Sequence, residues 1–472
     1  MMIRSFAVVA ASAVVLGSVG AIMVGIDNDR MLTIDGARTF ILGLYENPKD
    51  DEHLRQAVDA GVNLVRCSTD AETLDRVHKY GAHAWVNTGA SIDLGKDQDT
   101  RRARLEEMVE QCATHPAFLV WEVPDEALWN CWYRTMLWQD HEERAAQAKH
   151  IDALTDEALA KELRALQEEA HGRFMAGEYA KYESISDWIW GKLEQPSPKP
   201  DLRMTTAASR AAELCTGMVA GYEALKELDP NHPVWMNHAP RNSIPQLAAF
   251  DKAADIVGCD IYPVPRHRTG HSDLGDRDLT SVGAFTDRMQ AAAPGKPVWM
   301  VLQGFGWSDI QDIQDERKRE EQRRPRADES RFMAYDAISH GARGLLYWGT
   351  AYIEKDSPFW QELLDLFEEL HDLQPVLAAR DASLDLSVEV AETWGSVDRG
   401  VLVLAKEVEG EVWLIVVNEW PEALRYAISG LAGLDGRVYS DTRSNDEVVV
   451  RGDRLSQSIV GHGVQVYAPV KK

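Results

Sequence analysis

The ten residues Trp-Glu-Val-Pro-Asp-Glu-Ala-Leu-Trp-Asn, Trp121 to Asn130, carry three carboxylates directly after the apolar run Phe118-Leu119-Val120. An apolar run that ends in acids has the pattern of a buried strand emerging into a site. Carboxylates grouped in this way suit general acid and base work, because neighbouring acids can hold different protonation states at one pH. Other short apolar runs end in comparable residues. Their ends are Glu46, Arg66, Asn87, Glu122 with Asp125 and Glu126, Asn237 with His238, Asp260 with Tyr262, Gln303, and Trp348. Acids for protonating glycosidic oxygens, amides and carboxylates for hydroxyls, and flat rings for pyranose faces together describe a sugar site. The set contains no His/Cys/Asp metal cluster, no lysine suited to a Schiff base and no nucleophile-elbow serine, so no metal and no cofactor is expected.

The elements that must position these residues can be read from periodicity. Strand-like runs occupy 40–45, 62–67, 83–87, 118–123, 233–237, 256–262, 297–303 and 344–348. Amphipathic helical segments lie between them, as at 51–60, 71–80 and 101–112, and Gly61, Gly81 and Gly341 punctuate the pattern. Eight strands each followed by a helix predict a (β/α)8 barrel, whose catalytic groups sit at the C-terminal ends of the strands. A doubly wound sheet would usually carry a Gly-rich phosphate loop after its first strand, and none is present. The barrel is expected over residues 22–380. A helical insertion at 132–200 interrupts the unit after the fourth strand and ends in aromatics at Tyr179, Tyr182, Trp188 and Trp190. At the top of a barrel strand it would border the site, and Trp188 and Trp190 could face a groove or pack inward. Residues 383–472 turn to alternating strands with turn residues between them, which predicts an antiparallel β-sandwich.

Composition narrows the partners. The formal net charge of −26 repels nucleic acid and anionic membrane surfaces. The Lys/Arg stretch at 317–324 is interleaved with Glu316, Glu320 and Glu321, as on a solvated helical face. Five scattered cysteines without CxxC spacing read as buried free thiols. Arg4 followed by the uncharged apolar stretch 6–26 predicts an export signal, cleaved near Val19-Gly20-Ala21, or an uncleaved anchor. A secreted or periplasmic location, with contact to a membrane only through that segment, is the expectation.

The stretch Trp-Glu-Val-Pro-Asp-Glu, Trp121 to Glu126, resembles the fourth-strand signature of clan-A retaining glycoside hydrolases such as β-mannanases and cellulases. These read Trp-Glu-x-x-Asn-Glu, with the last Glu as acid/base, and Glu126 takes that position. Gly-Val-Asn-Leu-Val-Arg, ending at Arg66, resembles their second strand, whose Arg contacts the catalytic carboxylate. Asp260-Ile261-Tyr262 lies where they often have His-x-Tyr, and Trp348 where a Trp floors the sugar subsite. The resemblance covers Arg30 to Tyr352 and implies a carbohydrate substrate.

Two positions depart from that pattern. Gln303 stands where the seventh-strand nucleophile Glu is expected, and Asp125 replaces the usual Asn. An amide cannot attack an anomeric carbon, so Gln303 is expected to bind substrate. Asp260, with Glu46 in reserve, is then the candidate second carboxylate, as nucleophile or as base. Two alternatives remain: substrate assistance through the Asp125–Glu126 pair, as in hexosaminidases, or a barrel that binds sugar without cleaving it. Glu122 shares strand parity with Glu126 and should point inward, with Arg66 as its cation.

Overall fold

A computed structural model describes residues 22–239, 241–266, 278–391 and 400–470. The expected export segment, residues 1–21, lies outside the described residues. Three short strands, Val24–Ile26, Leu32–Ile34 and Ala37–Thr39, form an antiparallel sheet ahead of the barrel.

The eight barrel strands follow in the expected order: Ile41–Leu44, Leu64–Cys67, His83–Asn87, Phe118–Glu122, Val234–His238, Ile256–Cys259, Trp299–Gln303 and Gly344–Trp348. Neighbours pair in parallel, and the eighth strand pairs with the first. Parallel bridges Val257–Val298 and Asp260–Val301 close the barrel between strands six and seven. Gly258 permits that closure, since a Cβ there would lie 1.7 Å from the carbonyl oxygen of Trp299. The interior is filled by Ile41, Leu64, Trp85, Trp235, Ile256, Trp299, Val301 and Leu346. Trp85, Trp235 and Trp299 lie in a row, with centroids 5.5 and 5.8 Å apart. A barrel plugged in this way is a packed core with a site only at its mouth.

After strand four the chain is helical from Ala127 to Asp152, passing through a π-turn at Trp138–Glu142. The insertion therefore does not begin as a separate unit at Trp132, because no Gly, Pro or cap interrupts the helix there. Helices Glu157–Met175 and Tyr179–Lys192 pack on one another over a small core of Ile151, Leu163, Ile189 and Trp190. Helix Ala207–Leu228 returns the chain to the fifth strand.

From Arg380 two antiparallel sheets, one of six strands and one of three, form the expected sandwich around Leu414, Val416, Tyr426, Ile428 and Tyr467. The outer face of the larger sheet supplies Ile415, Val417 and Val466 to the barrel's own hydrophobic core. All five cysteines are free thiols. Among the described residues, no helix is long and apolar enough to cross a membrane.

Candidate active site

Side chains alternate along a strand, so residues two or four beyond the barrel's interior positions face the same way at its mouth. This places Tyr45, Arg66, Asn87, Glu122, Asn237, Asp260, Gln303 and Trp348 in one ring. Asp260 and Glu126 hydrogen-bond to one another through their side chains. Asn237, 2% exposed, donates to Asp125 Oδ1 at 2.8 Å and also reaches Asp260. Two carboxyls in hydrogen-bond contact must share a proton. Burial, and then the charge of Asp125, push Asp260 up to about 7, against the hydrogen bonds from Glu126 and Asn237. A carboxyl so placed changes charge near neutral pH.

Glu126 sits at the entry to the helix Ala127–Leu137 with φ of 49°, in the left-handed region that a non-glycine residue enters at a cost of about 1–2 kcal/mol. Its N–H donates to the Asn237 carbonyl at 3.1 Å, and its carbonyl accepts from the Asn130 N–H at 2.9 Å. These bonds tie Glu126 to strand five and to its own helix. Asp125 does not cap that helix; its carboxylate turns to Asn237.

Glu122 faces inward and is 1% exposed. Its direct partners are Asn87 and, at 3.5 Å, the Tyr45 hydroxyl. Arg66 is not its ion-pair partner: the guanidinium lies 5.5 Å from the Trp85 ring centroid, and its charge reaches Glu122 only as a secondary pull. Burial, and then the charge of Asp125, therefore raise Glu122 well above the usual carboxylate range.

Gln303 is fully buried, and its amide is used up by backbone. Nε2 donates to the carbonyls of Val264 at 2.7 Å and Phe305 at 3.1 Å, and Oε1 accepts from the Val264 N–H at 2.9 Å. The expectation that it binds substrate is corrected: Gln303 pins the loop after strand six. A carboxylate could not make the two donor bonds, which accounts physically for an amide at this position.

Two other expectations change. Glu46 is bound by Lys355 Nζ at 2.6 Å, and each side chain is 12% exposed, so it is not a spare carboxylate for the centre. His238 faces out of the barrel, 1% exposed, with Nε2 2.8 Å from Asp251, and does not line the mouth. The parity that sends His238 outward sends Tyr45 inward, and this alternation was the available signal for Tyr45. Tyr262 hydrogen-bonds Asp260 and stacks on Trp348, with centroids 5.5 Å apart at 23°. Phe305 packs edge-on to both rings.

Among the described residues, one cluster brings three metal-capable side chains together: Asp336, His340 and Glu419, with donor atoms within 4.8 Å of one another. It joins a barrel helix to the sandwich, a pairing invisible to local sequence. Burial would lower His340, but Asp287 at 3.0 Å and Glu419 at 3.1 Å raise it to about 10. The imidazolium thus already occupies the place of a cation.

A closed (β/α)8 barrel with buried acids, amides and stacked rings at its mouth, and with an appended β-sandwich, defines a carbohydrate-active enzyme of the clan-A type. Residues 98–355 match the family model of glycoside hydrolase 42, described as beta-galactosidase. That match spans more than half of the chain, and the chain belongs to this family of glycoside hydrolases. The fold resembles the beta-galactosidase of Bacillus circulans sp. alkalophilus, at 10% identity over 92% of this chain and 99% of that one, with a TM-score of 0.52. It also resembles a glycoside hydrolase family 5 protein from Bacteroides vulgatus, at 13% identity over 95% and 93%, with a TM-score of 0.52. No curated protein matches the chain in sequence.

Proposed function

We propose that the protein is an exported enzyme that hydrolyses β-galactosides, with Glu126 as general acid and Asp260 as the opposing carboxylate. The observation that carries this reading is the hydrogen bond between Glu126 and Asp260, made while Gln303 is committed to backbone. Substrate entering between the two acids leaves the shared proton on Glu126, for the leaving oxygen, and the charge on Asp260, for the anomeric carbon. Contact between the carboxyls favours the retaining route, which needs a separation of about 5 Å, over the wider inverting one. The family's description as beta-galactosidase supports galactose as the sugar. The apolar stretch before residue 27 supports export.

Nitrophenyl β-galactoside hydrolysis tests the assignment. Glu126→Gln and Asp260→Asn should each lower kcat by about 10²–10⁴-fold, the range of positioned acid–base groups. Azide should restore Asp260→Asn and yield a glycosyl azide. Gln303→Glu should gain nothing and lose stability, since it removes two buried donors. Near-normal turnover in Asp260→Asn would overturn the role of Asp260 and move the reading to substrate assistance through Asp125.

A further inference from the structure

A cavity of about 780 Å³ opens at the residues on either side of Glu126 in the chain, outside the ring just described. Its walls are the helix Ala127–Leu137, the helix Ala207–Leu228 and the loop after strand three, and they include Pro124, Asp125 and Ala127, the residues flanking Glu126. Asp125 thus faces the cavity and also accepts from Asn237 at the centre. The volume falls within the roughly 300–1,000 Å³ of ordinary ligand pockets.

The charges of the walls set its preference. Lys96, Arg134 and Arg210 line it. Arg210 spends its guanidinium on neutral acceptors, among them the Cys131 carbonyl at 3.1 Å and the Thr135 hydroxyl at 2.6 Å, so its charge is not cancelled. Lys96 and Arg134 are exposed, and no described carboxylate lies within ion-pair distance of either. The carboxylate of Asp93 is neutralised by Arg101 at 2.6 Å, which leaves Asp125 and Glu213 as the wall's acids. Three cations against two acids is a local reversal on a chain of net charge −26.

We propose that this cavity is the leaving-group subsite and that it takes an anionic saccharide, a sugar bearing a carboxylate or a sulfate ester. The proposal rests on Glu126 being the general acid, because the sugar bonded to the protonated oxygen must lie next to it. Lys96 and Arg134 meet the anionic group, and Arg210 adds long-range attraction while holding its helix in place.

Titration calorimetry of the full chain separates this from the galactosidase reading. The probes are a neutral galactose oligosaccharide, a galacturonate oligosaccharide and a sulfated galactose oligosaccharide of equal length. At low ionic strength at least one charged probe should bind about tenfold tighter than the neutral one, the effect of a single hydrogen bond to a charged group. The advantage should shrink with added salt. It should vanish in the Lys96→Gln/Arg134→Gln double variant, whose affinity for the neutral probe and melting temperature should match the wild type, both side chains being exposed. Equal affinity for charged and neutral probes, or a preference that survives in the double variant, overturns the proposal. Failure of the wild type to cleave nitrophenyl β-galactoside would strike the galactosidase reading instead, while the calorimetry still judges the cavity.

Discussion

Asp260 is 3% exposed, and its carboxyl is raised to about 7 by burial and by the charge of Asp125. A carboxyl raised on folding adds stability while protonated, fully below its unfolded value and progressively less as pH rises through the folded one. Asp260→Asn should therefore match or trail the wild type in melting temperature at pH 4 and exceed it at pH 8. The gain should be on the order of 2 kcal/mol, well under the full conversion of the shift because the pair titrates together. An unchanged ranking between pH 4 and pH 8 would show that the charge on Asp260 costs the fold nothing. That Asp260 faces Glu126 was legible in the sequence, since strand-end position and alternation need no long-range information. The roles of Gln303 and Arg66 were not. Whether a strand-end amide meets substrate or backbone depends on where the loop at Val264 lies, and pattern does not carry that.

At the scale of elements, all eight barrel strands were readable because each is a short apolar run with a turn signal beyond it. The insertion was readable in composition but not in orientation. Trp188 and Trp190 lie two apart on the helix Tyr179–Lys192, so they point to different faces. Trp190 is 3% exposed, and its Nε1 donates to Glu143 at 2.9 Å; the Tyr182 hydroxyl donates to the same carboxylate at 2.8 Å. Trp188 is 41% exposed, with Lys192 4.9 Å from its ring centroid. Trp190→Ala should thus destabilise the insertion by about 3–5 kcal/mol, the usual loss for a buried Trp. Trp188→Ala should stay within about 0.5 kcal/mol, as exposed substitutions do. Thermal melts followed by tryptophan fluorescence would separate them; equal losses would mean that the helix packs with a different face inward.

In the molecule as a whole, barrel and sandwich are joined by charge as well as by apolar packing. Helix Ala327–Ser339 carries Arg331, which donates to the Val464 carbonyl at 3.0 Å and pairs with Glu369 at 2.8 Å. His340 follows that helix and lies between Asp287 of the barrel and Glu419 of the sandwich. The sequence showed the sandwich only in part. The Leu404, Val416 and Val466 strands stand out as apolar, whereas the three-stranded sheet, alternating with Glu389, Arg425 and Arg454, carries the weaker signal of strands with one solvated face. The junction was not legible at all, because His340 and Glu419 are brought together only by the packing of one unit on the other. A histidine raised on folding adds stability that is complete below its unfolded value, near 6.5, and fades as pH rises through about 10. His340→Gln should therefore lower the melting temperature most near pH 6, by an amount equivalent to about 2 kcal/mol or more, and the gap to the wild type should close toward pH 10. Glu419→Gln should show the same convergence with pH. A gap constant from pH 6 to pH 10 would reduce His340 to a space-filling role and leave Ile415, Val417 and Val466 as the bond between the two units.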